Sequence, residues 1–235
     1  MSIHDQLKQN LNAIQDQIHS ACRRASRSAD EVRLIAVTKY AEWSWVEALT
    51  SLHQTFGENR PQQLAERQVL LPNAEWHLIG QLQRNKVKLA LQHSSVIQSI
   101  DSLRLLERIA QVAAELQIRP RVLIQANMSQ ESAKSGFAPE KLRSQWSEIV
   151  AFHGVVQIDG LMTMAAESDD PEDARPTFQS LRILRNELRN TDASLKAGLT
   201  LSDLSMGMSG DFVPAIEEGA TMVRIGSLIF AGLPT

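Results

Sequence analysis

Eight short apolar runs rich in Val, Ile, Leu and Met alternate with amphipathic stretches along nearly the whole chain, and no other feature limits its possible folds so sharply. Near-continuous apolar runs belong to strands buried on both faces, and parallel pairing of such strands requires crossover helices between them. The pattern predicts strands over 34–38, 54–58, 76–80, 96–100, 122–127, 157–164, 201–206 and 222–230. Helical periodicity falls between them, over 43–52, 62–70, 85–91, 102–116, 139–152, 171–190 and 211–219.

Eight such strands in about 200 residues suggest a (β/α)8 TIM barrel at the small end of its size range. A further helix precedes them, because Ile3, Leu7, Leu11, Ile14 and Ile18 recur at spacings of four and three and place one apolar stripe on a helix reaching about Ala25. The expected organisation is a single domain over 1–235, with 1–28 as an N-terminal helix packed on the barrel. The competing architecture, a doubly wound open sheet, normally carries a Gly-rich phosphate fingerprint after its first strand. Here Thr38-Lys39-Tyr40-Ala41-Glu42 contains no glycine.

With 43% hydrophobic residues in 235, the chain can bury one substantial core. Its 24 basic and 27 acidic residues are mixed along the sequence, giving a formal charge of -3 and no footprint for nucleic acid or an anionic membrane. The single cysteine, Cys22, allows no internal disulfide and fits a reducing compartment. The N-terminus lacks a basic segment followed by an apolar one, and no apolar run approaches the roughly 18 residues that span a bilayer. A cytoplasmic protein is expected.

In such a barrel the active site stands at the C-terminal ends of the strands. Lys39 closes the run Arg33-Leu-Ile-Ala-Val-Thr-Lys39, while Glu58, Asn59, Gly80, Asn127, Thr163 and Met164 end later strands. Ser205-Met-Gly-Met-Ser209 and Arg224-Ile-Gly-Ser227 lie at the seventh and eighth. An amine at an apolar strand end is half withdrawn from water, which favours its uncharged, nucleophilic form and makes imine chemistry a first reading. The plain alternative is a lysine reaching past the strand end to solvent. Gly207, Ser209, Gly210, Gly226 and Ser227 suit either a phosphate cradle of backbone N–H groups or simple tight turns. Taken together, these groups fit a phosphorylated carbonyl compound. The six histidines show no metal-ligand spacing, and there is neither a Gly-x-Ser-x-Gly elbow nor a Walker loop. Met162, Met164, Met206 and Met208 are expected to pack inside the barrel.

Six ordered motifs carry a resemblance over nearly the whole chain: Ala36-Val-Thr-Lys39; Phe56-Gly-Glu-Asn59; Trp76-His-Leu-Ile-Gly80 with Gln83-Arg-Asn-Lys86; Gly160-Leu-Met-Thr163; Leu204-Ser-Met-Gly-Met-Ser209; and Val223-Arg-Ile-Gly226 with Ile229-Phe230. In them the sequence resembles the YggS/PROSC family of pyridoxal 5'-phosphate (PLP) homeostasis proteins, which share the alanine racemase N-terminal barrel. The resemblance implies PLP held as an aldimine by Lys39, its phosphate near Ser209, Gly226 and Ser227, and Arg224 facing the pyridine nitrogen. Asn59, Ser205 and Met206 complete the implied cofactor-binding set.

A guanidinium facing that nitrogen can only donate, which makes the cofactor a weaker electron sink than one paired with a carboxylate. Alanine racemases add a C-terminal β-domain and use a tyrosine from a partner subunit as second base. The one tyrosine here is Tyr40, which strand alternation would aim away from Lys39. The implied protein is therefore a monomeric PLP carrier or regulator of vitamin B6 and amino-acid balance, without efficient catalysis, with PLP-dependent apo-enzymes as candidate recipients. Three other readings stay open: a low-activity amino-acid racemase, a Schiff-base aldolase, and an interaction protein using Trp43, Trp45 or the arginine-rich seventh helix. The sequence departs from the family pattern at Gln81, at Tyr40 and at Arg60-Pro61, which bears on the polarity of the barrel mouth.

Overall fold

Strands β1 (Arg33–Val37), β2 (Thr55–Glu58), β3 (Glu75–Leu78), β4 (Val96–Ile100), β5 (Arg121–Gln125), β6 (Gln157–Met162), β7 (Asp203–Met208) and β8 (Met222–Ile225) follow one another around a closed barrel in sequence order. Every neighbouring pair is parallel, and β8 closes on β1 through Arg33↔Met222 to Ala36↔Ile225. This computed structural model describes residues 2–129 and 135–234. The helices are α1 (Ile3–Arg24), α2 (Trp43–Leu49), α3 (Pro61–Leu70), α4 (Val87–His93), α5 (Leu103–Leu116), α6 (Pro139–Val150), α7 (Arg175–Arg189), α8 (Asp192–Ala197) and α9 (Phe212–Glu217).

The expected leading helix is α1. The Ser2 hydroxyl accepts from the Asp5 N–H as its N-cap, and Leu7, Leu11, Ile14, Ile18, Ala21 and Cys22 are buried along one face. That face lies against α2 and α9. Asn10 ties it to the far end of the chain by donating to the carbonyls of Ile229 (2.8 Å) and Ala231 (2.9 Å).

Strand alternation sorts the side chains into two apolar layers. Outward residues join the helices in one large core, whereas Ile35, Val96, Leu123, Met162 and Met222, with Met164 beside them, form a separate cluster inside the barrel. Met162 and Met164 thus lie inside as expected. Met206 does not: it is fully buried in the outer layer, and Met208 is 39% exposed. One residue of parity separates Met206 from the inward Ser205, which accounts for the difference.

The N-terminal end of the interior is charged. Arg33, Glu75, Arg121 and Asp203 each open an odd-numbered strand, and Arg121 pairs with Asp159 (2.7 Å), Glu75 (3.8 Å) and Asp203 (3.9 Å). Layers built from alternate strands are the packing rule of this barrel, and this end is where it supports stability. Glycine permits the closest approach: a Cβ on Gly160 would fall 1.8 Å from the Asp203 carbonyl oxygen on the next strand.

Several strands stop earlier than the apolar runs do. β1 ends at Val37, β5 at Gln125, β6 at Met162 and β8 at Ile225, while β7 is displaced to Asp203–Met208. Leu201, expected to begin β7, has φ +44, a left-handed conformation that a strand cannot use. Past Ile225 the chain turns, the Gly226 carbonyl accepting from the Ile229 N–H at 3.0 Å. The single helix expected over 171–190 is a 3-10 turn, Pro171–Ala174, leading into α7. α8 was not anticipated, although its Thr191 cap and its Gly198 stop at φ +68 are both readable signals.

Glu75 gives the charged layer a pH signature. The His77 imidazole 3.2 Å away, with help from Arg33 and Arg121 against the cost of burial, holds its carboxyl at about 2 instead of 4.5. A depressed carboxyl stabilises the fold above 4.5 and loses that contribution as pH falls toward 2. Glu75→Gln should therefore lower Tm at neutral pH, and the gap to wild type should narrow as pH drops through that window. A gap constant across the window would contradict the assignment.

Candidate functional site

Lys39 sits in a turn, not in the strand. Thr38 still donates its N–H to the Gly57 carbonyl (3.1 Å), but the Ala41 N–H then bonds back to the Thr38 carbonyl (2.8 Å), leaving Lys39 and Tyr40 at the tip. What holds the turn is a buried arginine from α3. Arg67 donates to the carbonyls of Thr38 (2.6 Å) and Ala41 (2.8 Å) and to Glu58 Oε1 (2.6 Å). The same carboxylate oxygen accepts from the Thr38 hydroxyl at 2.5 Å. Burial pushes the Glu58 carboxyl up, while Thr38 and Arg67 pull it down. Its other oxygen has no partner among the described residues.

The turn also reverses the expected direction of Tyr40. Tyr40 is 86% exposed, and its ring centroid lies 5.0 Å from Lys39 Nζ, within cation–π range. Alternation applies to a strand, and the strand has ended. Lys39 itself is half-buried, and among the described residues its ammonium makes no hydrogen bond or ion pair. A cavity of about 610 Å³ opens beside it, lined by Lys39, Tyr40, Asn59, Arg60, Gln62, Gln63 and Glu66. Asn59 follows β2 directly, and Gly80, two residues past the end of β3, lets the two segments approach closely: a Cβ there would fall 2.2 Å from the Asn59 carbonyl oxygen.

Arg224 stands lower on the same side, in register with Ile35 across the β1–β8 seam. It is 4% exposed and donates to the Ser205 hydroxyl (2.6 Å) and the Thr163 carbonyl (2.9 Å). No carboxylate among the described residues lies in ion-pair range of it. Burial consequently pushes its pKa down to about 10, with the Asp211 charge pulling the other way. Beyond it, the Ser209 hydroxyl accepts from the Gly226 N–H at 3.2 Å. A Cβ on Gly226 would press on the Val37 carbonyl oxygen at 3.2 Å, so glycine lets the two chain segments meet below the Lys39 turn. Among the described residues the Ser227 and Leu228 N–H groups enter no backbone hydrogen bond. At the end of β7, Gly207 has φ +93 and packs against Phe212 and Ala215, and Asp211 Oδ1 accepts from the Met208 N–H at 2.6 Å.

The barrel therefore brings Lys39, Asn59, Arg224, Ser205, Ser209, Gly226 and Ser227 to one end, with Ser205 and Arg224 inside and Ser227 exposed on the rim. Met206 points into the outer core, leaving its backbone at the mouth. Arg67 was missed by sequence reasoning, since an arginine within a helix looks like a solvated one. Among the described residues no group of three or more His, Cys, Asp or Glu side chains could hold a metal ion. Nor is any described helix long and apolar enough to cross a membrane.

Residues 9–234 match the family described as alanine racemase, N-terminal domain. A pyridoxal phosphate homeostasis protein of Aquifex aeolicus is 36% identical over 225 residues, covering 94% of this chain and 96% of its own length. The solved structure of PipY from Synechococcus elongatus PCC7942, with PLP bound, superposes with a TM-score of 0.78 at 34% identity, covering 93% of this chain and 100% of that one. An alanine racemase of Clostridium difficile 630 superposes with a TM-score of 0.75 at 15% identity, covering 98% of this chain and 58% of its own, a likeness of fold alone.

Removing one partner of a buried ion pair strands the other charge, at a cost of about 3–5 kcal/mol. Arg67→Ala is expected to destabilise the protein by that order in urea denaturation, and Arg67→Met combined with Glu58→Leu by clearly less. Equal losses in the two proteins would mean that packing, not the charge pair, holds the turn.

Proposed function

This chain belongs to the pyridoxal phosphate homeostasis proteins of the alanine racemase N-terminal domain family, and on that footing we propose that it binds PLP through a Schiff base to Lys39 and holds it without efficient turnover. The observation that supports the reading is an amine without a hydrogen-bond partner among the described residues at the same barrel end as a buried guanidinium with donors to spare. Among the described residues Lys39 has no polar partner to compete for its amine, and its turn is held independently by Arg67 and Glu58. Arg224 spends two hydrogen bonds of a possible five donors, so it can meet an acceptor nitrogen. Ser209, Gly226, Ser227 and the neighbouring N–H groups suit a phosphate, and Asn59 borders the space beside Lys39.

When bound, PLP supplies an aldehyde for the amine and an electron-withdrawing ring. The ring's power depends on its nitrogen being protonated. Arg224, still charged at neutral pH, would donate to that nitrogen when PLP is bound and would leave it without a proton of its own. This restrains carbanion chemistry and favours holding the cofactor, as a monomeric cytoplasmic carrier with PLP-dependent apo-enzymes as recipients.

One observation favours a second reading, a low-activity amino-acid racemase: Tyr40 stands beside Lys39. Two-base racemisation needs acid and base on opposite faces of the α-carbon, however, and two side chains touching on one turn approach from one side. Deuterium uptake from solvent at the α-carbon of amino acids separates the two readings; sustained uptake would favour the racemase.

Added PLP should produce an absorbance band near the edge of the visible, which borohydride reduction converts to a stable adduct on Lys39. Lys39→Ala should abolish the band while keeping weak PLP binding through the phosphate contacts. An unchanged band in that variant, or an adduct mapped to another lysine, would overturn the assignment.

A further inference from the structure

Behind Arg224 a chain of buried polar groups runs down the barrel interior to the charged layer at the opposite end. Arg224 Nη1 donates to Ser205 Oγ (2.6 Å), Ser205 Oγ donates to Gln98 Oε1 (2.6 Å), and Gln98 Nε2 lies 2.8 Å from His77 Nδ1. His77 Nε2 lies 3.2 Å from Glu75 Oε1, though poorly aligned for a linear bond, and Glu75 faces Arg33 (3.4 Å) and Arg121 (3.8 Å). Ser205, Gln98 and His77 are all completely buried.

The direction of the three hydrogen bonds is fixed from the Arg224 end, and the Glu75 carboxylate at the other end is compatible with it. A guanidinium can only donate, so the Ser205 oxygen accepts and its proton goes on to Gln98 Oε1. That orients the Gln98 amide with its NH2 toward His77, whose Nδ1 must then accept. The imidazole proton is left on Nε2, facing a carboxylate that can only accept. Burial holds His77 below its ordinary range, consistent with a neutral ring, while Glu75 opposes that shift.

We propose that His77 is a positioning residue for Arg224: as the Nε2–H tautomer it fixes the Gln98 amide, which fixes the Ser205 hydroxyl, which holds the guanidinium aimed at a ligand's ring nitrogen. Without an acceptor at position 77 the amide is free to turn over. Ser205 Oγ would then face two donors, Arg224 and the Gln98 NH2, and the guanidinium would lose its fixed acceptor. The inference rests on the reading that Arg224 meets the PLP nitrogen.

The test compares PLP with its 1-deaza analogue, in which carbon replaces the ring nitrogen, by titrating the full-length protein. Wild type should prefer PLP by roughly tenfold, the scale of a hydrogen bond to a charged group. His77→Phe should bring the two affinities within about threefold while retaining the Lys39 absorbance band. His77→Gln, which can both accept from Gln98 and donate to Glu75, should recover much of the preference. A merely structural role would weaken both ligands alike, so a preference unchanged in His77→Phe overturns the proposal and leaves the Arg224 reading standing. No preference in wild type removes the Arg224 reading and the proposal with it. Nitrogen NMR of the unliganded wild type gives a check that needs no variant: a His77 proton on Nδ1 would refute the chain.

Discussion

The closure of β8 on β1 is the interaction on which everything else in this molecule depends. Parallel ladder bonds from Arg33↔Met222 to Ala36↔Ile225 bring the first and last strands side by side, so a turn near the start of the chain and the chemistry near its end share one rim. The seam is kept tight at its upper end by Gly226, whose missing side chain lets it sit against the Val37 carbonyl. α1 reinforces the closure from outside, gripping the carbonyls of Ile229 and Ala231 through Asn10. If this pairing failed, Lys39 and Arg224 would belong to no common site.

The interior around this seam is partly polar. An apolar layer of Ile35, Val96, Leu123, Met162 and Met222 shares the space with His77, Gln98, Ser205 and Arg224, each of which must be partnered to avoid a desolvation cost. Such a network is under stricter geometric control than a hydrocarbon core, because each member restricts the proton positions of the next. The Glu58–Arg67 pair under the Lys39 turn shows the same economy outside the barrel wall, where one arginine serves a carboxylate and two main-chain carbonyls.

The fold was largely legible because its signal is repeated: each apolar run followed by an amphipathic stretch is weak alone, and eight in series admit few topologies. Strand ends were less legible, since apolarity persists after the ladder stops, as from Gly226 to Phe230. Residues that the barrel brings to one end and that have distinctive chemistry, such as Lys39, Ser209 and Gly226, could be picked out by type. Met206 could not, because its placement turns on a parity that Ser205 shares and inverts. The contacts of Arg67 and His77 were not legible for a different reason: nothing in a helical arginine or a strand histidine announces its partners.

One property of the Lys39 turn reaches beyond its present occupant. Arg67 grips it through the carbonyls of Thr38 and Ala41, groups that exist whatever side chains the tip carries. The two tip positions, 39 and 40, are thereby released from any duty in shaping the backbone. The rim behaves as a socket whose form is maintained by its flanks, in which chemical identity can be exchanged without rebuilding the loop. A scaffold of that kind separates the evolution of reactivity from the evolution of shape.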